Sequence, residues 1–113
     1  MSSPEAVVQR QLEAYNARDL ARFLAEYAYD VQVYRPPAVA PTIVGKEAFG
    51  QFYATQRFNK VDLHAELVNR MVIGNKVIDH ERISGIGPEP FEVAVIYEVA
   101  AGFIRCAWIF AAT

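Results

Sequence analysis

The chain has 113 residues, of which 53% are hydrophobic and 21% charged, with a formal net charge of −2. That length and apolar content suit one domain with its own core, and the 11 Lys and Arg residues are scattered rather than striped, which argues against a nucleic-acid partner. The single cysteine, Cys106, excludes an internal disulfide and a cysteine-based zinc site, and no apolar run approaches the roughly 18 residues of a membrane helix, so no membrane partner is expected.

Ser2 and Ser3 ahead of Pro4 and Glu5 form a helix start, because serine caps free N–H groups and proline tolerates a first-turn position that needs no donor. Val8, Leu12 and Tyr15 at helical spacing predict a first helix to about Ala17, with Gln9, Arg10 and Glu13 on its wet side. Asp19 caps a second helix whose apolar stripe is Leu20, Phe23, Leu24 and Tyr27. Val31 to Arg35 is a short strand ended by Pro36-Pro37, since proline cannot donate to a ladder. After a loop, Lys46 to about Gln56 is a third helix carrying Phe49, Phe52 and Tyr53 on one face.

The second half of the chain consists of strands. Leu63 to Ile73 and Lys76 to Ser84 flank Gly74-Asn75, a two-residue hairpin signal. Pairing Ile73 with Lys76 sets Met71 opposite Ile78, Asn69 opposite His80, Leu67 opposite Arg82 and Ala65 opposite Ser84. The other face then pairs Arg70 with Asp79, and an opposite-charge pair suggests a face that meets water or a partner. On that basis Leu67, Met71 and Ile78 face the helices, and Asn69, His80 and Arg82 point inward. Two further strands, about Phe91 to Val99 and Phe103 to Ala111, are joined by Ala100-Ala101-Gly102. In the first of them Val93, Val95 and Tyr97 are expected inside, with Glu92 and Glu98 outside. The outer side of the last strand carries Ile104, Cys106, Trp108 and Phe110, an uncharged ridge that needs a cover. The whole is expected to be one α+β domain over residues 1–113.

This order of elements, with the stretches YNARDLARFLAEYAYDVQVY, VGKEAFGQFY, VIDHERISG and YEVAAGFIRCAW, resembles the nuclear-transport-factor-2-like superfamily. Within it the chain is most similar to the SnoaL-like branch, related to polyketide cyclases, ketosteroid isomerases and limonene epoxide hydrolases. The resemblance covers nearly the whole chain. It implies a cone-shaped, cystatin-like roll in which a curved, mostly antiparallel sheet wraps around three N-terminal helices and encloses a pocket for a small apolar molecule. It also implies a homodimer through the outer sheet face, with Trp108 buried in it.

Carried over position by position, the isomerase base falls on Arg35, the isomerase tyrosine on Gln11, and the oxyanion acid on Val95, or on Ala94 without a gap. Arginine stays protonated and cannot accept the proton a carboxylate would take. The hydrolase arginine matches Arg82, but the two hydrolase acids fall on Ser84 and Ile109. With those carboxylates missing, His80 and Arg82 become the candidate catalytic pair, the imidazole moving a proton and the guanidinium stabilising negative charge. Their structural alternatives are a satisfied core histidine and a buried ion pair for Arg82, with Asp30 as the candidate partner.

Tyr15, Tyr34 and Tyr53 offer hydroxyls to a ligand or simply packing area. With Leu67, Asn69 and Met71 from the hairpin, Val95 and Tyr97 from the next strand, and Gln11 and Ile109 at the family positions, they form the expected pocket lining. His64 is expected on the strand face opposite His80, with no third ligand in view, so neither a metal nor a cofactor is expected. Cys106 is expected to be a buried, inert thiol. A Met-Ser-Ser-Pro-Glu start without a basic and greasy leader points to the cytoplasm. Two functional classes remain: an isomerase-, cyclase- or hydrolase-type enzyme, and a non-catalytic ligand-binding or dimerisation module.

Overall fold

Ser3 opens the first helix as the sequence predicts. In the computed structural model, which describes residues 2–112, its hydroxyl accepts the Ala6 N–H at 3.1 Å and α1 runs Pro4–Asn16. The Asp19 carboxylate accepts the Arg22 N–H at 3.2 Å and starts α2, Leu20–Ala25. Tyr27, expected as the last apolar position of that helix, instead opens β1, Tyr27–Tyr34. The reason is tertiary: the Ile104 N–H donates to the Glu26 carbonyl at 2.9 Å, drawing the chain into the sheet as soon as α2 ends. A two-residue strand that the sequence does not announce, β2 (Ile43–Val44), pairs antiparallel with β1. It leads into α3, Lys46–Gln56, at its expected place.

β3 (His64–Ile73), β4 (Lys76–Ser84), β5 (Phe91–Ala100) and β6 (Phe103–Ala111) follow. Among the described residues they complete a six-stranded sheet in the order β2-β1-β6-β5-β4-β3, antiparallel everywhere except where β1 runs parallel to β6. This is the α+β architecture expected, a mostly antiparallel sheet with three helices, and its form is cone-like. Val7, Val8 and Leu12 of α1, Phe23 of α2 and Phe49 of α3 are buried in one core with Val33, Val77, Val95 and Tyr97 of the sheet. Where the chain leaves β4, Gly85 has φ +88° and a Cβ there would fall 2.2 Å from the Asp62 carbonyl oxygen, so only glycine fits. No helix among the described residues is long and apolar enough to cross a membrane.

The β3–β4 hairpin has the expected register only near its turn. Ile73↔Lys76, Met71↔Ile78 and Asn69↔His80 pair as predicted, but a bulge between Leu67 and Asn69 then sets Leu67 opposite Glu81 and Ala65 opposite Ile83. Asn16, at the end of α1, holds the strand beyond the bulge: its side-chain amide donates to the Ala65 carbonyl at 3.0 Å and its carbonyl accepts the Ala65 N–H at 2.8 Å. β4 itself has no bulge, and α1 covers its Asp79 side through the Arg70–Gln9 contact, so its inward face is Val77, Asp79, Glu81 and Ile83, all buried. The expectation that Asn69, Met71, Ile78, His80 and Arg82 face the helices is corrected, and these residues lie on the outer side.

A second bulge, between Glu98 and Val99 in the β5–β6 pairing, turns Ile104 into the core, where it is fully buried. It leaves the outer ridge to Cys106, Trp108 and Phe110.

Candidate functional site

Between the inner face of the sheet and the helices lies a cavity of about 100 Å³. Its deep end is aromatic. Phe23 and Tyr27 approach Phe49 with ring centroids 5.7 and 4.4 Å away, and Tyr53 stands 4.7 Å from the same ring. Strand pairing orders the rest by depth. Tyr97 lies opposite Ala107, Val95 opposite Ile109, and Val93 opposite both Ala111 and Glu81. The exposed ends of those strands, with Phe91, Ile86 and Ala111 among the lining residues, form the mouth.

One buried hydrogen-bond chain crosses the floor. The Tyr27 hydroxyl donates to Gln11 Oε1 at 2.8 Å, and Gln11 Nε2 donates to the Tyr97 hydroxyl at 3.3 Å. Gln11 is thus oriented from both ends, and burial raises both phenols well above the usual tyrosine range. Tyr15 and Tyr53 also line the cavity, and burial raises their hydroxyls too. The hydroxyls of Tyr27, Tyr34 and Tyr97 have side-chain partners; those of Tyr15 and Tyr53 have none among the described residues. They are protonated donors without an acceptor.

Among the described residues, the one carboxylate on the cavity wall is Glu81. It is 5% exposed, and its Oε2 is buried without a hydrogen-bond partner among the described residues. Burial pushes its pKa up to about 7, the neighbouring charge of Asp79 adds to the rise, and Arg70 opposes it. Asp79, two residues earlier on the same face, is fully buried and gripped by Arg70, with Nε–Oδ1 2.7 Å and Nη2–Oδ2 2.9 Å. Arg70 Nη1 also donates to Gln9 Oε1 at 2.9 Å, which ties the pair to α1. The paired acid is therefore structural, and the one without a partner among the described residues belongs to the cavity wall. A carboxyl that is near half-ionised at neutral pH and stands beside apolar walls can accept or return a proton.

Of the residues singled out from sequence, the structure brings Gln11, Tyr15, Tyr53, Val95, Tyr97 and Ile109 together around the cavity. Leu67 packs half-buried against the core but is not on the wall. Tyr34 stacks on Trp108 across the outer face, ring centroids 5.6 Å apart, and does not reach the cavity. Asn69 and Met71 are exposed. His80 also lies outside, its side chain 44% exposed and bonded to Glu92, and Arg82 is exposed. Neither Arg82 nor the exposed Asp30 is part of any ion pair among the described residues. The expected inward catalytic pair is thus replaced by a surface histidine and a surface arginine. The bulge also places His64 on the same outer face as His80, not on the opposite one. Cys106 is buried on the outer side, and burial pushes its thiol up.

Sequence reasoning missed Glu81 and Arg57 on the cavity wall; Arg35, carried onto the isomerase base position, is on that wall too. The signal for Glu81 was present: if Val93 and Val95 face inward, their cross-strand partners Glu81 and Asp79 must do so too.

The SnoaL-like domain family matches residues 8–107. Among solved structures, a provisionally assigned ketosteroid isomerase from Kribbella flavida superposes with a TM-score of 0.85 at 19% identity, covering 97% of this chain and 78% of that one. An uncharacterised cystatin-fold protein from Novosphingobium aromaticivorans does so with a TM-score of 0.86 at 20% identity, covering 96% and 98%. An epoxide hydrolase from M. tuberculosis gives a TM-score of 0.80 at 18% identity, covering 96% and 82%. At these identities the likeness is one of fold. No curated protein matches the sequence significantly.

Proposed function

Because the chain belongs to the SnoaL-like domain family and carries an unpaired, buried carboxylate in its cavity, we propose that it binds a small, mostly apolar molecule there and that Glu81 moves a proton on it. The reaction class is isomerase- or cyclase-like. The observation that carries this reading is Glu81, a residue of the cavity wall whose Oε2 is desolvated and has no hydrogen-bond partner among the described residues. An ionised Glu81 would take a proton from carbon next to a carbonyl, and the free hydroxyls of Tyr15 and Tyr53 would donate to the oxygen that gains charge. Cavity size limits the substrate. An engineered cavity of about 150 Å³ takes benzene, so a volume of about 100 Å³ excludes a polycycle and takes at most a single-ring body whose remainder extends into the mouth.

The test is α-proton exchange of cyclopentanone and cyclohexanone in heavy water, followed by NMR. The protein is expected to accelerate exchange over buffer, and Glu81→Gln to reduce the acceleration by about 10²–10⁴-fold. Binding of these ketones with no acceleration would reduce the domain to a non-catalytic ligand-binding module.

We also propose that the outer sheet face pairs with a second copy. Support comes from the Tyr34–Trp108 stack, from Ile96 opposite Trp108, and from Phe110 and Met71, which are 41% and 51% exposed on that side. Light scattering at micromolar concentration is expected to give the mass of a dimer, and Trp108→Glu that of a monomer. A monomeric wild type would end the proposal.

A further inference from the structure

We infer that the molecule held in the cavity is a small organic anion, an apolar body of about one ring whose carboxylate docks between Arg35 and Arg57 at the mouth. This deepens the pocket reading above and rests on it.

Arg35 continues β1 one residue beyond the Tyr34↔Trp108 pair, which puts it level with Ile109, near the end of the cone that Phe91, Ile83 and Ala111 also line. Arg57 ends α3 and reaches the same cavity from the helical wall. Its guanidinium lies 5.0 Å from the Phe52 ring centroid, and its Nη1 donates to the Gln56 carbonyl at 2.8 Å. Both side chains belong to half-buried residues. Among the described residues no carboxylate oxygen lies within 4.0 Å of either guanidinium, whereas Arg70, the other half-buried arginine, is fully engaged by Asp79.

Two cations at one partly desolvated opening repel each other, and an anion between them relieves that repulsion. The planar fork of a guanidinium matches a carboxylate with two parallel hydrogen bonds, and such charge-assisted pairs are roughly twice as strong as neutral ones. Tyr53 reports the same field. Burial raises its hydroxyl, the charges of Arg35 and then Arg57 pull it back down and that of Glu81 raises it, so both guanidinium groups act within this cavity together with the carboxyl. Glu81 itself feels Asp79 and Arg70. Arg35 and Arg57, without an ion-pair partner among the described residues, thus add positive charge near one end of an otherwise mostly apolar, aromatic cavity, and this orients a ligand that has one anionic end.

The experiment is calorimetric or NMR titration, at about pH 7, of phenylacetate and its uncharged isostere 2-phenylacetamide against the wild type and an Arg35→Gln/Arg57→Gln double variant. The wild type is expected to bind phenylacetate at least about tenfold more tightly than the amide, and the double variant to lose that preference while holding the amide within about twofold. Equal affinity of the wild type for the two probes would overturn the anion assignment and leave the pocket reading standing. A preference that survives in the double variant would overturn the assignment to Arg35 and Arg57. Binding of neither probe would overturn both this inference and the pocket on which it rests.

Discussion

Arg70→Ala is expected to destabilise the fold by about 3–5 kcal/mol, one of the largest effects of any single substitution outside the apolar core. Asp79 has no exposed surface and both its oxygens are held by Arg70, so removing the guanidinium leaves a carboxylate buried with no compensating charge. Gln9 loses its partner on Arg70 at the same time, and with it one of the ties between α1 and β3. Replacing both members with apolar residues of similar volume, Arg70→Met with Asp79→Leu, is expected to recover most of the loss, because a buried ion pair contributes little beyond what its own desolvation costs. Urea denaturation of the three proteins checks this. A loss below about 1 kcal/mol in Arg70→Ala would mean that Asp79 is hydrated or finds another partner. The pair also acts on the site. Asp79 raises the proton affinity of Glu81 and Arg70 lowers it, so Arg70→Ala should move the Glu81 midpoint further up.

That ion pair is also where the sequence misleads. An Arg70–Asp79 pair across a hairpin looks like a wet face, since exposed charge pairs are common and buried ones rare. Here α1 covers it, and only tertiary packing reveals the cover. The hairpin turn at Gly74-Asn75 and the register next to it were legible because they follow from local backbone geometry. The bulge near Val68 was not, because no residue type demands one and the contact that pins it, Asn16 on Ala65, spans 49 positions. Inverting the face of β4 exchanged His80 and Arg82 for Asp79 and Glu81 as interior polar groups. α1, α3, the long strands and the inward positions Val95 and Tyr97 on β5 survived, since periodicity marks the elements and, on β5, the glutamates Glu92 and Glu98 mark the outer side. β2 escaped notice because two residues carry no periodicity, and its pairing with β1 is what makes it a strand.

The stability of the wild type is expected to carry a component that falls between about pH 4.5 and about pH 7 and that Glu81→Gln abolishes. The sign follows from the protons bound. Glu81 has a folded pKa of about 7 against an ordinary 4.5, so between those values the folded chain holds a proton that the unfolded chain has released. Stability from this group is complete below about pH 4.5, declines as pH rises and is gone above about pH 7. At about 1.4 kcal/mol per pH unit the component amounts to about 3 kcal/mol. Other carboxylates act in the opposite sense; Glu98, held low by Arg105 and Lys76, loses its contribution as pH falls. For that reason the quantity to measure is the difference between the wild type and Glu81→Gln, in which the other groups cancel. Urea denaturation at about pH 5 and about pH 8 should show the difference shifting in favour of the variant at the higher value. Parallel curves would mean that Glu81 ionises as an ordinary surface carboxylate, and the proton-transfer role would fall with it. A falling curve has a further consequence. An apolar residue at position 81 would leave the domain more stable at neutral pH, so the acid costs stability there, and its presence fits a functional role better than a structural one.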